Sequence, residues 1–426
     1  MPVGVVREPG NGPTACPLPS TTLGIQLKKQ VDKPGPSTQV RLIHWMTERP
    51  PVYLWQHPDW PDLRHEPARV GEALAKARRV QGVVEGKLAI LGFEQRVVLA
   101  AEAWSQEALA TSAIEGERLD LAAVRSSVAR RLGVGKQDGP QATRSVEGLL
   151  DIMDDAVQRC HDPLTHDRLH AWHAALFPTG YSGITKIRVG GYREHGEPMQ
   201  IVSGRVGRER VHYEAPPSSR VPAEMDRFLR WFNADSEPDT LVRAALAHLW
   251  FETIHPFEDG NGRLGRVLVD LLLARDSGEA SRLFRTSQRL LDRRRDYYAN
   301  LERAQHGGPD VTDWVCWFIE QMQAACEEAS TVVDHTLIKL RFWLDHGNQT
   351  LNERQRKVMN LLLDAGPGGF DGGMSTKKYE NITGASRATA SRELIDLEAK
   401  GLLQQVGGGR STRYHVRLPG WVPAPA

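Results

Sequence analysis

Between two apolar segments, LVRAALAHLWFETI and VLVDLLLAR, the chain carries the polar run HPFEDGNGRLGR, His255 to Arg266. Its residue types suit phosphate chemistry. Gly-Asn-Gly can adopt backbone angles closed to other residues, so that successive amide N–H groups converge into an anion-binding nest. The apolar pattern after it predicts a helix that starts at once, and a helix N-terminus adds unpaired N–H groups and partial positive charge. Arg263 and Arg266, three apart, share one face of that helix and can make bidentate phosphate contacts. Asp259, just before the nest, is placed to hold a divalent cation that bridges phosphate oxygens. His255 is the group whose ordinary pKa suits a general base near neutral pH. Phe257, between polar neighbours, is the expected inward anchor. A glycine-rich helix cap alone would need none of the histidine, acid and two arginines gathered here.

The run fits throughout the pattern H-x-F-x-[DE]-G-N-G-R-x-x-R, and on it the chain resembles the Fic family. The resemblance extends over roughly residues 160–325, through MQIVSGRVGRERVHYEAPP and RRDYYANLERAQ. It implies a mainly α fold: a helical core with a β-hairpin flap. It also implies transfer of AMP from ATP to a Ser, Thr or Tyr hydroxyl of a target protein, or of the protein itself, with Mg2+ (or Mn2+). On this resemblance His255 takes the hydroxyl proton and Asp259 holds the metal. Asn261 and the amides of Gly260 and Gly262 hold the α- and β-phosphates, and Arg263 and Arg266 hold the outer ones. Tyr297 and Tyr298 match a pair lining the base pocket, although aromatic residues there also suit a helix core. Ile201, Val202 and Ser203 would lie along the flap that pins the target segment.

Upstream, TSAIEGE presents two readings. Ser112-x-x-Glu115 has capping-box spacing, which predicts a helix start. Thr111 to Gly116 also resembles the family's inhibitory motif, [ST]-x-x-x-E-[GN]. There the glutamate, here Glu115, pairs with the second motif arginine, here Arg266, and keeps ATP out of its productive orientation. This resembles the class with an N-terminal inhibitory helix.

These groups need elements to position them. Residues 1–38 lack periodicity and are rich in Pro, Gly, Ser and Thr, as in a flexible tail. Residues 39–110 hold Trp45, Trp55 and Trp60, expected as core aromatics, and then helical periodicity. Residues 111–330 would hold the inhibitory segment and the catalytic core, with a hairpin near 199–215. Residues 331–426 read as a linker helix, three helices and a hairpin, the order of a winged helix-turn-helix. The 426 residues are 40% hydrophobic and 25% charged with net charge +1, so overall charge argues neither for nor against nucleic acid. Residues 351–417 carry eleven Lys and Arg against seven acids, and DNA is a candidate partner through residues 385–413. Four cysteines without a CxxC pair, no membrane-length apolar run and no secretory pattern lead us to expect a cytoplasmic protein without a membrane partner. Dimers are common in similar proteins, and a homodimer is expected. A rival reading is a DNA-binding transcriptional regulator that uses the core as a nucleotide sensor; an intact His255 favours the enzyme. Removal of AMP, or transfer of another phosphate-containing group, is a further alternative.

Overall fold

The computed structural model describes residues 53–134, 139–205, 208–234, 238–368, 370 and 372–422. The tail, residues 1–38, and Trp45 lie outside them. The described chain is mainly helical. The first helices are α1 (Pro67–Ala89), α2 (Phe93–Ile114), α3 (Leu121–Leu132), α4 (Arg144–Gln158) and α5 (His166–Leu176). Two antiparallel hairpins follow, β1 (Tyr181–Ser182) with β2 (Thr185–Lys186), and β3 (Gln200–Arg205) with β4 (Arg208–Glu214). Next come α6 (Val221–Asn233), α7 (Thr240–Ile254), α8 (Asn261–Ser277), α9 (Thr286–Asp292), α10 (Arg294–Gln305) and the long α11 (Thr312–Asp345). The chain closes with α12 (Glu353–Ala365), α13 (Thr376–Thr383), α14 (Arg387–Ala399), β5 (Leu403–Val406) and β6 (Arg413–Val416), as expected for a winged helix.

Every residue of α7 from Leu241 to Ile254 is buried. A helix buried on all sides belongs at the centre of a core, and α6, α8, α10 and α11 pack against it. One hydrophobic core runs from Leu54 to Val333, and a second from Phe342 to Trp421. The helix α11 contributes to both. Trp55 and Trp60 join the first core as expected. The Trp55 indole N–H donates to the Glu214 carbonyl (2.8 Å) and that of Trp60 to Glu224 (2.9 Å). The boundaries expected at 110 and 330 lie inside α2 and α11, which run on through them.

The end of α2 corrects another expectation. Thr111 to Ile114 close a helix, and no helix starts there. Gly116, at φ +87°, takes the left-handed conformation that glycine favours. Its N–H donates to the Ala113 carbonyl (3.1 Å), and the Glu117 N–H to that of Ser112 (3.0 Å). This paired closure is a Schellman C-cap. No described helix is long and apolar enough to cross a membrane.

Candidate active site

The chain leaves α7 through His255, the one non-glycine described residue with positive φ (50°, ψ 62°). Such a conformation is unfavourable and needs support from its surroundings. Arg193 supplies it from a fully buried position. Its Nε donates to the His255 carbonyl (2.8 Å), and its Nη2 to the carbonyls of Pro216 (2.5 Å) and Ile254 (3.3 Å). Two residues on, Phe257 is buried as expected and stacks on His173, with ring centroids 4.3 Å apart and planes at 9°. The His173 Nδ1 accepts from the Gly190 N–H (3.1 Å), so Nε2 carries the proton toward the Asp259 carbonyl (3.2 Å). Burial pushes His173 down to about 4, which keeps it neutral in this role. Sequence reasoning missed Arg193 and His173, which act on the loop from 62 and 86 residues away.

Asn261 requires a correction. Its side-chain oxygen accepts from the Phe257 N–H and its amide donates to the Phe257 carbonyl, both at 2.9 Å. That amide group closes the loop, and the Asn261 backbone N–H is what remains for a ligand. The Gly260 N–H is also engaged, by Asp259 Oδ1 (2.6 Å). The first turn of α8 leaves the amides of Asn261, Gly262 and Arg263 without intrahelical acceptors. Gly260 has φ +81°, and a Cβ there would lie 2.8 Å from the Phe177 ring. Glycine is therefore required twice over at that corner.

A carboxylate already covers this nest. Glu115 Oε1 accepts from Arg266 Nη2 at 2.7 Å, and a Cβ on Gly262 would lie 2.2 Å from the same oxygen. Arg266 is buried, and Thr111 holds it by the hydroxyl on Nε (2.8 Å) and by the carbonyl on Nη2 (3.0 Å). Burial lowers and the Glu115 charge raises the Arg266 pKa; the net direction is upward. Arg263 lies over the Phe177 ring and donates to Glu117 (3.1 Å), a second acid from the same turn that sequence reasoning passed over. The Glu117 side chain is half exposed. We predict that Glu117→Ala changes turnover at most about fivefold, the equivalent of the ~1 kcal/mol ceiling of an exposed pair. Initial rates check this.

Asp259 sits at the mouth of the nest, with Ser182 Oγ on Oδ2 and the Gly260 N–H on Oδ1. Among the described residues no group of three His, Cys, Asp or Glu can hold a metal. One oriented carboxylate beside a phosphate nest fits the mode in which Mg2+ takes its other ligands from substrate phosphates and water. Burial, and then the Arg193 guanidinium, push His255 down to about 4, so its imidazole is neutral at pH 7 and able to accept a proton.

The hairpin forms as expected, with Ile201 opposite Tyr213, Val202 opposite Val211 and Ser203 opposite Arg210. The Tyr213 hydroxyl donates to the Thr253 carbonyl (2.7 Å), which fixes the hairpin to the last turn of α7. Among the described residues, β3 pairs only with β4, which leaves its outer edge available to an added strand. The tyrosine pair divides. Tyr297 is fully buried, its hydroxyl 2.9 Å from His248 Nε2, a position of the kind the helix-core alternative describes. Tyr298 is half-buried and donates to the Ile114 carbonyl at the end of α2 (3.4 Å).

Parts of the chain are similar to known proteins. Residues 163–273 match the Fic/DOC family. Residues 53–134 match a domain of unknown function, DUF4172, and residues 372–417 the C-terminal domain of DIP2311-like transcriptional regulators. The protein adenylyltransferase Fic of Nematostella vectensis is 28% identical over 213 residues, 48% of this chain and 44% of its own length. That of Drosophila mojavensis is 30% identical over 228 residues, 48% of this chain and 41% of its own. The chain thus spans less than half the length of these curated relatives. Among solved structures, a Fic family protein from Desulfovibrio desulfuricans is 22% identical, with a TM-score of 0.49 over 82% of this chain and 95% of that one. Fic-1 from C. elegans is 20% identical, with a TM-score of 0.45 over 63% of this chain and 75% of that one. The chain carries a Fic/DOC domain over residues 163–273, and the site described above is built around that domain's loop.

Proposed function

We propose that the protein is an autoinhibited protein adenylyltransferase, which moves AMP from ATP to a hydroxyl of a target protein or of itself. One observation carries the reading: a neutral, partly buried histidine stands beside a helix-start nest with two buried arginines on one face. The phosphates lie on the free amides of Asn261, Gly262 and Arg263, with Arg263 and Arg266 on the outer oxygens. The target segment adds to the edge of β3 along Ile201, Val202 and Ser203, which brings its hydroxyl to His255. His255 Nε2 takes the proton as the hydroxyl oxygen bonds to the α-phosphorus. The bond from that phosphorus to the bridging oxygen breaks, and pyrophosphate leaves. Positioning and electrostatics do most of the work in such a transfer. Asp259 would hold Mg2+, which when bound offsets phosphate charge.

The brake is the Glu115 carboxylate, with Thr111 holding Arg266 and Gly116 setting the turn. It takes the guanidinium edge that the outer phosphates need and lies over Gly262, so ATP and Glu115 compete for one place. Mass spectrometry of the full chain and of a lysate after incubation with MgATP tests the reading. An AMP adduct on a Ser, Thr or Tyr is expected, and a phosphate adduct instead would overturn it.

A second reading concerns residues 372–417, which resemble part of a transcriptional regulator. On α14, Arg387, Ala388 and Arg392 are exposed, basic and small as a groove-reading helix requires. DNA is the partner this surface would take, and a mobility shift with genomic fragments tests it.

A further inference from the structure

Beneath the base lies a row of buried polar groups with no assigned role. His248 and Glu252 follow one another along one face of α7 at helical spacing, and His255 stands next to them at its C-cap. Glu252 Oε2 is 3.7 Å from His255 Nδ1. On the far side, His248 Nε2 meets the Tyr297 hydroxyl (2.9 Å). Among the described residues, three polar atoms of the row, Glu252 Oε1, His248 Nδ1 and His255 Nδ1, lack a partner at full hydrogen-bond geometry, although the Glu252 main chain lies near His255 and that of Gly265 near His248. Buried polar atoms are rarely left unpaired without a reason. Gly265 makes the room they share: a Cβ there would lie 2.8 Å from Glu252 Oε1 and 3.2 Å from His248 Nδ1.

We propose that Glu252 is the positioning residue of the base, accepting the His255 Nδ1–H on one carboxyl oxygen and donating from the other to His248 Nδ1. His248 then donates from Nε2 to the Tyr297 oxygen. Glu252 and the two imidazoles are neutral in this row, each of their donors meets an acceptor, and His255 Nε2 is left bare toward the nest. The inference rests on the transfer reading above and adds to it what sets the tautomer of the base. A gap of 3.7 Å is too long for a hydrogen bond, and such contacts tighten when substrate binds. The charges around the row favour neutrality. Burial, and then the nearby Glu115, push Glu252 up to about 8, against a smaller opposing effect of Arg266. Burial holds His248 near 3. Tyr213 also faces Glu252, and Arg193 faces His255.

A neutral carboxylic acid in this place has a close mimic. Glutamine also accepts on one side and donates on the other, whereas leucine does neither. The test compares the full-length parent, Glu252→Gln and Glu252→Leu by 15N NMR of the imidazole rings, with His255 assigned by its loss in His255→Ala. Transfer kinetics are measured on the same proteins. In parent and Gln forms His255 should be protonated at Nδ1 alone, with kcat within about threefold. In the Leu form Nε2–H should appear and kcat should fall by about 10- to 100-fold, with the KM for ATP unchanged. An unchanged tautomer in the Leu form would mean that the main-chain carbonyl of Glu252 suffices, and would overturn the proposal. A Gln form as damaged as the Leu form would overturn it too, since an ionised carboxylate would then be required. If the tautomers behave as expected and no form transfers AMP, the transfer reading alone fails.

Discussion

Replacing Glu115 by glycine raises AMP transfer by about 5- to 150-fold, the range of a 1–3 kcal/mol coupling between two sites. The gain comes from relieved competition. Glu115 Oε1 lies 2.7 Å from Arg266 Nη2 and covers Gly262, the point where the proposed reading puts the outer phosphate oxygens. Removing the carboxylate leaves Arg266 buried, still held by Thr111 and still charged. A buried guanidinium without its anion takes up the next one offered, and a triphosphate is that anion. The same change should enlarge the thermal stabilisation given by a fixed excess of MgATP, since tighter binding to the folded state raises the melting point. Initial rates and melting curves of the two forms measure both effects. Equal rates would remove the brake from the account.

Replacing His255 by alanine lowers transfer by about 10²- to 10⁴-fold, the usual worth of a positioned general base. ATP affinity should stay within about twofold, because the nest belongs to α8 and the arginines, which the substitution leaves in place. The histidine suits its role through burial, which keeps it neutral, and through Arg193, which holds its carbonyl and so its unusual backbone. Single-turnover rates, with nucleotide binding followed by calorimetry, separate the two quantities. Turnover kept in the alanine form would move the base to another residue.

Much of the site was legible because twelve consecutive residues carry it. The apolar runs on either side gave α7 and α8, and the glycines gave the corner between them. What escaped depends on contacts between distant segments. Arg193 and His173 hold the loop from other elements, and Glu252 reads as one more helix residue until Gly265 is seen to make room for it. The end of α2 was ambiguous for a local reason. Ser112-x-x-Glu115 suits a helix start, whereas Glu115-Gly116 suits a helix end, and the positive φ of Gly116 decides for the end. Asn261 shows the opposite error. A side chain that looked free for phosphate is spent on its own loop, because a buried corner must satisfy the Phe257 backbone first.

The central claim, transfer of AMP under restraint by Glu115, is tested most directly with ATP labelled either at the α- or at the γ-phosphate. The parent protein and Glu115→Gly are each incubated with Mg2+, alone and with a cell lysate. The account predicts label on protein from α-labelled ATP, weak with the parent and strong with the variant, and none from γ-labelled ATP. Label from the γ-position, or none from either position while ATP still binds, would contradict it.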